Sequence, residues 1–309
     1  MNQPLVQHAW FLSGPTASGK TAVGLELAHR LGAEIISLDS MALYRGMDIG
    51  TAKPSRDQRQ EIPHHLIDVI DPWEEYSLAQ YIAAAHACAN EIAARGRTVL
   101  FVGGTPLYLK GLLRGIFEGP RADWELRHRL AAEAERQGGD WLHRRLAEVD
   151  PLSASRLHAN DARRLIRALE VFEKTRRPIS ALQQQFETGQ LAEACRVFVL
   201  DWPRQELNDR IDARVDAMFA DGLIDEVRRL LTLPKPLSKT ARQAVGYREV
   251  IDHLNGQSSL PDTVALVKQH SRQLAKRQCT WFRSLSECRF VPVSAEQSAA
   301  EIASALLLL

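Results

Sequence analysis

Eight consecutive residues, Gly14-Pro15-Thr16-Ala17-Ser18-Gly19-Lys20-Thr21, follow the spacing G-x-x-x-x-G-K-[ST]. That spacing suits a di- or triphosphate. Glycines let the backbone wrap an anion with its N–H groups, and a following helix adds the partial positive charge of its N-terminus. Lys20 can reach terminal phosphate oxygens, and the Thr21 hydroxyl can ligate Mg²⁺. Two more positions could do chemistry. Asp39, followed by Ser40, closes the apolar run Ala33–Leu38, and Thr105 follows Gly103-Gly104 at the end of Thr98–Val102. An ordinary P-loop ATPase keeps a magnesium-holding Asp at the end of such a strand. Two glycines and a threonine stand there instead, so the usual hydrolytic apparatus is not visible.

These residues need a scaffold, and the apolar pattern supplies one. Trp10-Phe11-Leu12 reads as a short buried strand before the glycine loop. Ala22 to Leu31, with Val23, Leu27, Ala28 and Leu31 at helical spacing, reads as the helix after it. Ala33–Leu38 and Thr98–Val102 read as further strands, and Ser77 to about Arg95 as a helix with Gly96 as its C-cap. In open parallel sheets ligands bind outside the carboxyl ends of the strands, so Asp39 is expected beside the phosphate loop. Tyr44–Pro54 is glycine-punctuated and polar, hence a loop. Pro63–Val69 reads as a short strand with a polar lead-in. Its adjacent His64 and His65 lack further metal-ligand spacing and read as structural.

From Pro120 helical patterns follow one another, at Trp124–Gln137, Trp141–Val149 and Asn160–Thr175. The next strand candidate begins only at Cys195. Helices around Gln205–Phe219, Leu223–Leu233 and Pro261–Leu285 follow, then a final short strand, Arg289–Val293. The expected fold class is α/β: a P-loop NTPase-like parallel sheet flanked by helices, built from residues 1–119 and 191–309. A helical insertion domain spans residues 120–190.

A length of 309 residues, 45% hydrophobic and 25% charged, is ordinary for a globular protein with a sizeable core. The four cysteines lie far apart, with no C-x-x-C pair, which points to a reducing cytoplasm rather than a disulfide or zinc framework. The N-terminus has no basic lead-in and its apolar stretch ends in the phosphate loop, unlike a signal peptide. No apolar run approaches the ~18 residues that span a bilayer. Net charge is only +1, yet Arg156–Pro178 holds seven basic against three acidic residues, and Val264–Arg289 six against one. Two basic segments in a nearly neutral chain suit a polyanion surface; solvated helix faces are the plainer alternative.

Several stretches together resemble the tRNA dimethylallyltransferase (isopentenyltransferase) family. They are the phosphate loop, Asp39-Ser40, Tyr44–Pro54, Pro63–Asp68, Gly103-Gly104-Thr105 and Asn160-Asp161-x-Arg163-Arg164-x-x-Arg167-Ala168-Leu169-Glu170. Gly246-Tyr247-Arg248-Glu249 and Arg272-x-x-Ala275-Lys276-Arg277-Gln278-x-x-Trp281-Phe282-Arg283 complete the set, in order over most of the chain. The resemblance implies Mg²⁺-dependent transfer of a dimethylallyl group from dimethylallyl diphosphate to N6 of the adenine 3′-adjacent to the anticodon of tRNA. It implies Asp39 as the base that takes the amine proton; the other reading of that carboxylate is a contact to magnesium through a bound water. Thr105 would bond the diphosphate or leaving-group oxygen, or cap the next helix, and Lys20 would neutralise the leaving pyrophosphate. The whole loop Gly14 to Thr21 would cradle that pyrophosphate rather than ATP.

The resemblance also implies tRNA contacts from Asp39, Ser40, Met41, Ala42, Thr105, Arg127 (of Arg121-Ala122-Asp123-x-x-x-Arg127), Arg163, Arg164, Leu165, Ile166, Arg167, Arg272 and Lys276. On the last long helix Arg272, Lys276 and Arg283 share one face, and Trp281, on another, reads as core. Three positions depart from the family pattern. Ala42 stands where many members carry a base-reading Gln, Pro106 replaces the usual Gly after Gly-Gly-Thr, and no C-terminal zinc finger of the eukaryotic kind is present. A bacterial-type cytoplasmic enzyme, monomeric and not membrane-bound, is expected. A P-loop kinase of a small acceptor, an adenylate isopentenyltransferase and an RNA-binding protein that uses the nucleotide as a switch without chemistry are the competing readings.

Overall fold

The computed structural model describes residues 8–116, 119–120, 122–182 and 196–309. Arg121 and Cys195 lie outside them, as does the N-terminal lead-in. By compactness the chain forms two units, Met1–Leu113 with Leu191–Leu309, and Arg114–Gln190.

The first unit is built on six parallel strands: β1 (Trp10–Ser13), β2 (Ala33–Ser37), β3 (His64–His65), β4 (Thr98–Gly103), β5 (Arg196–Asp201) and β6 (Cys288–Pro292). Their order is β3-β2-β4-β1-β5-β6. Helices α1 (Lys20–Leu31), α2 (Arg56–Glu61), α3 (Leu78–Ala94) and α4 (Pro106–Arg114) punctuate the first four strands. The sheet centre is apolar because it is covered on both faces. Phe11 stacks on Phe101 at 4.7 Å, and Leu12, Leu100 and Phe198 are buried. Each such side chain contributes roughly 1.5–3 kcal/mol of burial free energy. The chain leaves β1 toward β2 on one side and returns through β4 to β5 on the other. That reversal opens a crevice at the carboxyl ends of β1 and β4.

β3 is shorter than the pattern Pro63–Val69 suggests. Leu66 and Asp68 adopt left-handed backbone, with φ of +59° and +57°, which ends the extended run. Asp68 is held there by Lys53 Nζ at 2.6 Å and Arg59 at 2.7 Å.

The second unit is helical among its described residues. It contains α5 (Trp124–Gln137), α6 (Trp141–Val149), α7 (Pro151–Arg156), α8 (Ala162–Thr175) and α9 (Ile179–Leu182). Their core is Leu126, Leu130, Leu142, Leu146, Leu165, Leu169 and neighbours. The first unit then resumes after β5 with α10 (Arg204–Ala220), α11 (Leu223–Leu231), α12 (Lys239–Arg242), α13 (Tyr247–Leu254) and α14 (Leu260–Arg283); α15 (Ala299–Leu307) follows β6. Among the described residues no helix is long and apolar enough to cross a membrane.

Candidate active site

The phosphate loop turns from β1 into α1, and two distant elements and its own lysine hold it by its carbonyls. Trp202, just after β5, donates Nε1–H to Ser18 O at 2.9 Å. Arg210 of α10 donates from Nε to Ala17 O at 2.9 Å, its guanidinium lying 4.2 Å over the Trp202 ring. Lys20 Nζ donates to Pro15 O at 2.6 Å. The first-turn N–H groups of α1 face the loop, where a helix N-terminus favours an anion. Gln278 of α14 clamps the crevice: its Oε1 accepts Thr16 N–H at 2.9 Å, and its Nε2 donates to Gly104 O at 2.6 Å.

Sheet pairing continues past the strand ends and brings Asp39 and Thr105 to one place. Leu38 N–H donates to Val102 O at 2.8 Å, and Thr105 N–H to Leu38 O at 3.1 Å. Gly103 permits this approach, since a Cβ there would meet Leu38 O at 2.2 Å. The Thr105 hydroxyl accepts Ser40 N–H at 3.1 Å and lies 3.5 Å from Ser40 Oγ. It therefore serves the β2 loop, not the cap of α4, whose first turn uses the Thr105 carbonyl. Asp39 Oδ1 accepts Met41 N–H at 2.8 Å and Ala42 N–H at 3.4 Å, so one carboxylate oxygen is fixed by the backbone. From beneath, the Tyr81 hydroxyl donates to Ser37 O at 2.8 Å.

The cations of the site come from separate elements. Arg214 of α10 reaches toward Thr51 O at 3.4 Å, and its buried Nε has no partner among the described residues. Burial, then the Arg214 charge, pull the Lys20 amine down to about 7, while Asp39 and Cys279 oppose them. Burial also lowers Arg214, with Asp39 opposing. Lys20, Arg214 and Asp39 thus share one electrostatic environment. Arg214 escaped the sequence reading. The available signal was its position three after Ile211 and seven after Leu207, on the buried stripe of α10, where a basic residue is out of place. Trp202 and Arg210 had no local signal, and Gln278 entered the sequence reading only within the family motif, without a role.

A metal has oxygen donors here but no cage. Among the described residues no group of three His, Cys, Asp or Glu could hold an ion. Mg²⁺ keeps several waters and is commonly bound through one or two protein oxygens plus substrate phosphates. The Thr21 hydroxyl at the loop end, with Asp39 after β2 on the other side of β4, fits an ion that arrives with a diphosphate. The two histidines are structural: His65 Nε2 meets Glu34 at 2.7 Å and His64 Nδ1 meets Ile62 O at 2.7 Å.

A family model described as IPP transferase matches residues 42–285, and one described as isopentenyl transferase matches residues 7–68. The tRNA dimethylallyltransferase of Rhodopirellula baltica is 49% identical over 308 residues, covering 97% of this chain and 92% of that protein. That of Geobacter metallireducens is 46% identical over 280 residues, covering 91% of each. The chain belongs to the tRNA dimethylallyltransferase family. Its α/β fold is shared with the crystal structure of the tRNA isopentenylpyrophosphate transferase of Bacillus halodurans, at TM-score 0.69 and 37% identity, covering 97% and 96% of the two chains. A eukaryotic dimethylallyltransferase captured acting on tRNA matches at TM-score 0.78 and 26% identity, covering 97% of this chain and 77% of that one.

The residues that the tRNA dimethylallyltransferase resemblance places at the RNA differ in burial and in partners. Leu165 is fully buried in the helical core, so its side chain is not presented at the surface, and Ile166 packs against that core. Arg127 and Arg167 surround Glu170, whose side chain is 0% exposed. Arg127 forks onto it at 2.9 and 2.8 Å, Arg167 meets it at 2.5 Å, and Asp123 N–H donates at 2.6 Å. Both arginines have a structural task that binary charge patterning does not reveal. Arg163 and Arg164 are exposed, Arg164 pairing with Asp161 at 3.2 Å.

On α14, Arg272 pairs with Asp212 and Arg283 reaches Asp201 at 3.5 Å, which leaves exposed Lys276 from the expected cationic face. Trp281 is exposed and Phe282 is the core residue, one position off the expected phase. Ala42 is buried and participates through its backbone.

Proposed function

We propose that this protein transfers a dimethylallyl group from dimethylallyl diphosphate to N6 of the adenine 3′-adjacent to the anticodon of tRNA, releasing pyrophosphate. The observation that carries the reading is the Asp39 carboxylate, fixed through one oxygen at the end of β2 and sharing its field with Lys20 of the phosphate loop. An exocyclic amine is a weak nucleophile because its lone pair is delocalised into the ring. A carboxylate that takes its proton as the new bond forms is the remedy.

In the step, N6 forms a bond to C1 of the donor, the C1–O bond breaks, the N6 proton passes to Asp39, and the electron pair leaves with pyrophosphate. Lys20, the first-turn N–H groups of α1 and Arg214 meet that departing charge. Such preorganised donors contribute roughly 3–4 kcal/mol each when well placed. Mg²⁺, held by the Thr21 hydroxyl and the diphosphate itself, would add charge neutralisation on the same oxygens. Thr105 orients Ser40 and with it the loop that carries Asp39. The tRNA would be gripped by Arg163, Arg164 and Lys276, and the adenine presented unstacked, as enzymes acting on bases require. The compartment is the cytoplasm and the working unit a monomer.

The test supplies labelled dimethylallyl diphosphate and Mg²⁺ with either tRNA or AMP. Label on tRNA carrying the adenine, and none on AMP, supports the reading. Comparable label on AMP favours the adenylate-type enzyme, and phosphate transferred from ATP to any acceptor favours a kinase.

A further inference from the structure

The loop from Met47 to Lys53 is held by a buried acid that the reaction itself does not use. Glu226, in the first turn of α11, is 2% exposed. Its carboxylate accepts the N–H groups of Asp48 at 2.9 Å, Ile49 at 2.8 Å and Gly50 at 3.2 Å, and the Tyr247 hydroxyl at 2.6 Å. Four donors saturate the lone pairs of one carboxylate. Tyr247 opens α13 and is fully buried, its ring against Gly50, where a Cβ would meet Cε2 at 2.5 Å. Acid and phenol therefore lock three consecutive backbone units in one position.

What those units touch gives the lock a purpose. Gly50 lines a cavity of about 60 Å³ together with Thr16 of the phosphate loop and Arg214, with Ile211, Val215 and Met218 among its apolar walls. The next carbonyl, Thr51 O, is the group Arg214 Nη2 approaches at 3.4 Å. Arg214 has no acid in an ion pair with it among the described residues, and its Nε is buried without a partner, so this carbonyl is what steers the guanidinium.

We propose that Glu226 and Tyr247 are positioning residues: through the Asp48–Gly50 backbone they fix Thr51 O, and thereby aim Arg214 at the diphosphate beside Lys20. The proposal rests on the donor being a diphosphate held at the phosphate loop. Displacing a catalytic cation by about 1 Å can cost on the order of 100-fold, and the lock acts on one substrate only.

The test measures Glu226→Gln and Tyr247→Phe in the full chain, with inorganic pyrophosphate and tRNA as separate binding probes and melting temperature as the control for folding. Gln keeps the volume but brings an N–H toward amide donors. We expect it to raise the KM for dimethylallyl diphosphate and the Kd for pyrophosphate about 10- to 100-fold, with the tRNA Kd within about twofold. Tyr247→Phe removes one donor and keeps three. It should give a smaller shift in the same direction, and it keeps the test open should Glu226→Gln fold poorly. Wild-type values for both donor constants in either folded variant would overturn the proposal. So would a parallel loss of tRNA and pyrophosphate binding, the mark of a merely structural role. If the wild-type protein itself neither binds pyrophosphate nor labels tRNA, the failure belongs to the reading of the reaction instead.

Discussion

Ser40 N–H donates to Thr105 Oγ1 at 3.1 Å, tying the loop after β2 to the loop after β4 through one hydroxyl. Because Asp39 is the residue before Ser40, this bond sets where the proposed base stands relative to the crevice. Thr105→Val keeps the shape and removes the acceptor. It should lower single-turnover transfer about 10- to 100-fold, while Thr105→Ser, which keeps the hydroxyl, should retain most of the rate. A near-wild-type rate in Thr105→Val with a loss in Thr105→Ser would mean that the methyl group matters and the hydroxyl does not.

Lys20 makes donor binding depend on pH. Its amine titrates at about 7, lowered by burial and then by Arg214. A bound diphosphate favours the charged form and raises that value. Below about 7 Lys20 is already protonated and binding takes up no proton through it. Above 7 binding must add one, so affinity falls as pH rises, by up to about tenfold per unit. Calorimetry at pH 8.5 in buffers of different ionisation enthalpy should show uptake approaching one proton, absent in Lys20→Met.

The basic residues of the helical unit divide into two kinds. Burial pushes Glu170 up, but hydrogen bonds from Arg127, Asp123 N–H and Arg167 outweigh it and hold its carboxyl below the ordinary range. Arg167→Ala should cost stability, on the order of 1–3 kcal/mol, because Arg127 and the Asp123 N–H still hold the buried carboxylate. Arg163→Ala with Arg164→Ala should leave the melting temperature unchanged and flatten the salt dependence of tRNA binding. Each lost phosphate contact lowers the slope of log K against log[salt] by about 0.7–0.9.

The sequence made the phosphate loop legible because its signal is local: spacing, glycines, and a strand and helix on either side. Asp39 and Thr105 were legible for a related reason, since strand ends in a parallel sheet face one crevice. What lay hidden depends on distant partners. Gln278 meets Thr16 across 262 positions and Trp202 meets Ser18 across 184, and no periodicity encodes either contact. Leu165, which the family resemblance places among the RNA contacts, shares a buried helical stripe with Ala168 and Leu169, a packing role that the apolar phase of the helix makes legible. The shortening of β3 followed from left-handed Leu66 and Asp68, which strand propensity does not anticipate.

The most direct measurement is single-turnover transfer by Asp39→Asn with saturating labelled donor and tRNA. The amide keeps an oxygen able to accept the Met41 and Ala42 N–H groups, so the loop should hold its place. It cannot take the amine proton. Transfer should fall roughly 10²–10⁴-fold, the usual contribution of a general base, while the tRNA Kd and melting temperature stay near wild type. A near-wild-type rate in the folded variant would contradict Asp39 as the base and the mechanism built on it.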